Sequence, residues 1–116
     1  MVEIKDIEEL KRALNFYKVV IVEYYDPDDE VSREFSKAVK MLQKHLDPEG
    51  IILRISKKDH PELASDVKTI PCLRVYLNGR LVFEQQGGFG NRELDLTVLR
   101  RSIRHTLRGL NVAFKI

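Results

Sequence analysis

The sequence predicts an α/β fold, a central mixed sheet in a three-layer sandwich, and three observations carry that prediction. Two nearly continuous β-branched runs, "VVIVEYY" (residues 19–25) and "IILRI" (residues 51–55), have the composition of strands covered on both faces. An amphipathic pattern of helical period separates them, as a parallel crossover requires. Further on, Asn78-Gly79 joins "CLRVYL" to "RLVFEQ", a two-residue hairpin signal, because both turn positions need positive φ.

The elements then follow in order. Residues 2–4 form a short strand candidate, and Asp6 caps a first helix whose Glu9 is placed to reach back to the cap's amide. Ile7, Leu10, Leu14 and Tyr17 recur at helical spacing and are expected to face a core. After the strand at 19–25, interrupted by Glu23, the set Val31, Phe35, Ala38, Val39, Leu42 and Leu46 marks a long amphipathic helix ending before the turn "DPEG". Past the strand at 51–55, "DHPELASD" predicts a short helix with Asp59 as cap and Pro61 in its first turn. The hairpin comes next, and Gly87, Gly88 and Gly90 break its pattern. Asn91 caps a last helix carrying Leu96, Leu99, Ile103 and Leu107 on one face, with Gly109 as its stop. The expected order is βαβαβαββα, two parallel crossovers and then a hairpin. Residues 1–109 form one domain and residues 110–116 a strand-like tail, in which Leu110, Val112, Phe114 and Ile116 alternate with polar or small residues.

At 116 residues the chain is long enough to bury a core without disulfide or metal staples. Hydrophobic residues at 43% and charged residues at 33% exclude a disordered or membrane-embedded class. The start "MVEIKDIEEL" has neither the basic start nor the apolar run of a secretory leader, so a cytoplasmic location is expected. One cysteine excludes an internal disulfide and an intramolecular dithiol cycle. His45, His60 and His105 are scattered, so neither metal nor cofactor is expected. High Lys, Arg and Glu content without Trp hints at a heat-adapted source.

The net charge of +2 conceals an asymmetry. All 18 acidic residues fall within residues 1–95 beside 15 Lys and Arg, whereas residues 96–116 hold Arg100, Arg101, Arg104, Arg108 and Lys115 and no acid. Two readings stand: cations favoured by a helix C-terminus, or a surface for an anionic partner. The opposite extreme is "DPDDE", which groups Asp26, Asp28, Asp29 and Glu30 at the start of a helix. Stabilisation of the unpaired helix amides is one reading and a cation-binding patch the other. The spacing lacks the glycine and distal glutamate of a calcium loop.

"VKTIPCLRVYLNGRLVFEQQGG" and "VVIVEYYDPDDEVSREFSKAVKML" resemble, respectively, the thioredoxin family's segment from its cis-proline to the glycine after the last strand, and its central strand, active-site loop and second helix. The resemblance extends over roughly residues 1–107. It implies a thioredoxin-like sandwich, a cis Ile70-Pro71 bond, and a groove in which the backbone of Ile70 pairs with an extended partner peptide, bordered by Gly87. It also implies a link to cell redox homeostasis, which the active-site positions do not sustain. Where the family carries two cysteines, this chain has Asp29 and Ser32, and Asp28 replaces the preceding tryptophan. Disulfide exchange needs a thiolate attacking sulfur, which carboxylate and hydroxyl cannot supply. Glu23 matches the family's buried acid. It is either a proton site with a raised pKa or an acid paired with a lysine such as Lys58 or hydrated at the sheet edge.

Cys72 follows the proline, where the family usually has threonine. It reads as a small hydrophobe filling space, or as a monothiol able to form a mixed disulfide. Three functions are therefore carried forward. The first is a redox-inactive module binding a protein or peptide through Ile70, Pro71 and Gly87 or through the tail. The second is a single-cysteine oxidoreductase or redox sensor using Cys72. The third is binding of an acidic partner or nucleic acid by Arg100, Arg104 and Arg108, which follow at four-residue spacing; no aromatic residues interleave with them, which weakens the nucleic-acid version. The tail is expected to pack on its own domain or on a second copy, giving a homodimer.

Overall fold

A computed structural model describes residues 1–116. Five strands, β1 (Val2–Glu3), β2 (Val19–Tyr25), β3 (Gly50–Ser56), β4 (Cys72–Leu77) and β5 (Arg80–Gln86), form one sheet in the order β1-β3-β2-β4-β5. β1, β3 and β2 are parallel, while β4 and β5 run antiparallel to their neighbours. The helices are α1 (Ile7–Phe16), α2 (Glu30–Gln43) and α3 (Arg92–Gly109), with a 3₁₀ turn at Pro61–Ala64.

Both faces of β2 are covered, as its apolar run requires. Val19 and Ile21 pack against Phe35, Val39 and Leu42 of α2 and Leu99, Ile103 and Leu107 of α3. Val20, Val22 and Tyr24 pack on the other side, against Leu10 and Ala13 of α1 and Ala64 of the 3₁₀ turn. Each fully buried Val, Leu, Ile or Phe among them contributes roughly 1.5–3 kcal/mol of transfer free energy. The period-2 geometry of the strand sends Glu23 to the α2 side with Val19 and Ile21.

Local signals set the ends of these elements. Asp6 accepts from Glu9 N at 2.9 Å and Asn91 accepts from Leu94 N at 2.9 Å. Asn78 and Gly79 take φ of 50° and 81°, the left-handed pair that a tight hairpin demands. Four expectations need correcting. Glu9 makes only the main-chain half of the capping pair. Ile7 is exposed rather than core, because Ala13 and Leu10 supply the buried stripe of α1. His60, not Asp59, precedes the 3₁₀ turn, and it caps nothing with its side chain. The tail 110–116 forms no strand and pairs with neither edge of the sheet.

The tail instead folds back over its own domain. Ile116 is buried in the α2/α3 core, and Phe114 packs so closely on Gly50 that a Cβ there would lie 2.4 Å from its ring. Asp47 N donates to Lys115 O at 2.8 Å, and Lys115 N donates to Asp47 Oδ2 at 3.1 Å. Leu110 remains half-exposed. No helix is long and apolar enough to cross a membrane.

Candidate functional site

The turn into β4 meets the start of α2 at one groove. The Ile70-Pro71 bond is cis, and Pro71 O accepts from Gly87 N at 2.7 Å. Gly87 has φ of 83°, which only glycine adopts freely. Neighbouring Gly88 approaches Pro71, Val31 and Phe35 so closely that a Cβ would lie 3.0–3.4 Å from all three. The groove is therefore walled by Val31, Pro71 and the loop 87–90. Val31, expected in the core, is instead 38% exposed on this wall, and Phe89 is 57% exposed beside it. Neither the N–H nor the C=O of Ile70 makes a backbone hydrogen bond.

Asp95 holds this loop in place. It is fully buried in the first turn of α3, and its Oδ1 accepts from Phe89 N at 2.9 Å. Burial raises its pKa, opposed by that main-chain bond. Arg92 donates from Nε and Nη2 to Glu34 of α2 at 3.0 and 3.3 Å, tying the two helix starts together.

At the start of α2, where the sequence places Asp29 and Ser32, this chain builds a cap. Asp29 is the N-cap of α2 and its Oδ2 accepts from Ser32 N at 2.8 Å. Buried Ser32 accepts from Asp26 N at 3.0 Å, and Asp26 Oδ1 accepts from Asp28 N at 2.9 Å. Asp28 forms an ion pair with Lys58 at 2.7 Å, which holds its carboxyl below the usual range. Asp26, Asp28 and Asp29 are engaged in local turn and ion-pair contacts, and this turn holds no thiol.

Glu23 is fully buried, and its partner differs from expectation. Lys58 is committed to Asp28, and Glu23 is bound by Arg54, its direct register neighbour on β3, with Nε donating at 2.9 Å. Ser36 donates its hydroxyl to the other carboxylate oxygen. Arg54 also donates to Ser36 Oγ at 3.1 Å and to Glu3 at 3.2 Å, and lies 3.8 Å from the centre of the Tyr25 ring. Burial raises the Glu23 pKa, and Arg54 and Ser36 counteract it. The carboxylate is thus spent on structure.

Cys72 faces the α1 side, packed with Tyr24, Val67 and Ala64 and 1% exposed. Burial, then the Glu84 charge, pushes its thiol up to about 11. A nucleophilic cysteine needs exposure and an electropositive setting, and Cys72 has neither the first nor a lowered pKa. Next to it on the same face, Arg74 donates to Glu84 at 2.6 Å and to Asp66 at 3.3 Å. The third set, Arg100, Arg104 and Arg108, lies along the outer side of α3 beside the tail. Arg104 donates from Nε and Nη2 to the backbone oxygen of Ile116 at 3.0 and 2.7 Å, with Arg100 Nη2 at 3.4 Å. The structure brings together the groove residues Ile70, Pro71 and Gly87. Glu23 and Cys72 lie within the core on opposite sides of the sheet, and the arginine stripe is separate.

Sequence reasoning missed Arg54, Arg74, Asp95, Gly88 and Phe89. A charged residue inside an apolar strand was the available signal for the first two, and a second glycine after Gly87 for the fourth.

A five-stranded mixed sheet with α1 on one face, α2 and α3 on the other, and a cis-proline before β4 defines the thioredoxin-like α/β fold. Solved structures of that fold superpose well on the chain. Mitochondrial thioredoxin 3 of Saccharomyces cerevisiae aligns with a TM-score of 0.74 at 15% identity, over 90% of this chain and 94% of that one. Oxidised thioredoxin of Plasmodium falciparum gives 0.73 at 14%, over 90% and 96%. A mutant thioredoxin of Halobacterium salinarum gives 0.70 at 18%, over 86% and 88%. Such identities establish the fold and nothing finer. No protein-family model matches the chain, and no curated protein sequence does. The protein has the thioredoxin fold without the dithiol, its lone cysteine being Cys72.

Proposed function

We propose that the chain is a redox-inactive binding module that holds an extended protein segment in the groove at Ile70, Pro71 and Gly87. The observation that carries this reading is the unpaired backbone of Ile70 at a groove walled by exposed Val31 and Phe89. Main-chain pairing supplies affinity to such an edge and flanking apolar pockets supply selectivity. The competing reading, a monothiol oxidoreductase at Cys72, is opposed by the burial of that thiol and its upward-shifted pKa.

Peptides selected by display on the purified protein test it. Their binding is expected to weaken at least tenfold in Val31→Glu and Phe89→Glu variants and to be indifferent to Cys72→Ala. Insulin reduction is expected to stay at the buffer rate. Reduction above that rate, abolished by Cys72→Ala, would establish the monothiol enzyme instead, and peptides that ignore both groove variants would remove the groove from consideration.

A further inference from the structure

None of the chain's ion pairs includes Arg100, Arg101, Arg104, Arg108 or Lys115. Elsewhere, arginines on β3, β4 and the first turn of α3 all hold carboxylates. The unpaired set surrounds a depression of about 730 Å³ between α3 and the tail, which continues on the other flank of the arginine row into a second one of about 440 Å³. Arg100, Arg104 and Arg108 line both, His45 and Lys115 add to the first, and no acidic residue lines either. Asp47, the carboxylate bound to the tail, is committed to the backbone N–H groups of Glu49 and Lys115.

Three features of this region point the same way. Arg100 is under-satisfied: its Nε is buried with no acceptor and its Nη2 reaches the Ile116 oxygen only at 3.4 Å. Arg104 aims both Nε and Nη2 at the Ile116 oxygen, which pins its guanidinium in the middle of the row and leaves Arg100 and Arg108 to either side. The concavities have the dimensions of small-ligand sites. Arg100 to Arg108 span only about 12 Å of helix, eight residues at 1.5 Å each. Side-chain carboxylates of an acidic peptide are single charges on separate residues, whereas converging forks suit a compact group bearing several charges and many oxygens. A nucleic-acid strand would want aromatic platforms between the cations, and the α3 stripe has none.

We propose that the outer face of α3 and the tail form a binding site for an oligophosphate group, free or carried on a nucleotide, with Arg100 and Arg108 as its principal contacts, Arg104 fixed behind them and residues 111–116 as the far wall. The site is independent of the groove at Ile70, so either stands without the other.

Calorimetric titration with inorganic tripolyphosphate at about 50 mM salt tests the proposal, since surface electrostatics are largely unscreened there. Saturable binding of one tripolyphosphate per chain is expected. It should weaken at least tenfold in the Arg100→Gln/Arg108→Gln double variant and stay within twofold in Arg80→Gln, which removes a distant charge. Amide shifts in the unaltered protein, read by two-dimensional NMR, should concentrate at residues 100–108 and 111–116. This readout does not depend on any variant folding. ATP binding equal to tripolyphosphate assigns the contacts to phosphate alone, and tighter ATP binding assigns the source to a nucleotide; both support the site. No saturable binding, shifts elsewhere, or an affinity unchanged in the double variant would overturn it. So would preference for a single-stranded oligonucleotide or for polyglutamate over tripolyphosphate, because each describes a polyanion or acidic-peptide surface instead.

Discussion

Two populations of arginine divide the molecule. Arg54 and Arg74 stand on strands, and each faces a carboxylate across the ladder as its direct register partner, Glu23 for the first and Glu84 for the second. Arg100, Arg101, Arg104 and Arg108 stand on the outside of α3 and meet no Asp or Glu side chain. The inner pairs satisfy charge that burial would otherwise make costly, so they belong to folding. In the outer stripe Arg104 and Arg100 hold the oxygen of Ile116 and no arginine holds an Asp or Glu, which leaves Arg100 and Arg108 as the proposed ligand contacts. The strand arginines have their counter-charge built in; those of the outer stripe do not, and it is these that line the proposed site.

The sharpest way to break this contrast is Arg54→Met. It leaves Glu23 buried and unpaired and should cost about 3–5 kcal/mol in urea unfolding near neutral pH. The sign of the pH dependence identifies the cause. Burial already raises the Glu23 pKa above its unfolded value, and losing Arg54 raises it further. The folded state then binds a proton more tightly than the unfolded one, so the deficit should shrink as pH falls through that pKa and grow as pH rises. A deficit independent of pH would show that lost packing, not the stranded carboxylate, dominates.

Arg74→Met should cost less, about 2 kcal/mol, because Glu84 is partly exposed and finds water when its partner goes. Here the sign is opposite. Arg74, and then Gln86, holds the Glu84 pKa below its ordinary 4.5. The stabilisation is therefore complete above that value and lost as pH falls through the depressed one. The gap between the parent and Arg74→Met, followed by thermal unfolding, should close in acid.

The smallest effect belongs to the outer stripe. Arg100→Gln/Arg108→Gln should change stability by no more than about 0.5 kcal/mol, the ordinary range for surface substitutions. A loss of 2 kcal/mol or more would move these arginines into the structural population and erase the distinction.

How much of this was legible in the chain depends on whether the information was local. β2 announces itself through its β-branched run, the hairpin through Asn78-Gly79, and the caps through Asp6 and Asn91, because each signal is contained within a few residues. The cis bond at Pro71 is not of that kind; the family resemblance alone foretold it. The partner of Glu23 could not be read, because Arg54 lies 31 positions away and becomes its neighbour only through the register of two parallel strands. The tail misled for a related reason: alternation at Leu110, Val112, Phe114 and Ile116 says that a segment has two faces, not that a strand is waiting to pair with it. A pit at Gly50, where absence of a side chain admits the Phe114 ring, took the place of a sheet edge. In the candidate site, the contact between Pro71 and Gly87 joins residues 16 positions apart, and Phe89 and its anchor Asp95 depend on the path of a loop that no periodicity describes.

The knot of hydrogen bonds among Asp26, Asp29 and Ser32 weighs on any redesign of this turn. Installing cysteine at positions 29 and 32 would strip α2 of its N-terminal anchor, at roughly 1 kcal/mol, before the pair could bring any new activity. A dithiol engineered into this scaffold would begin with a step uphill.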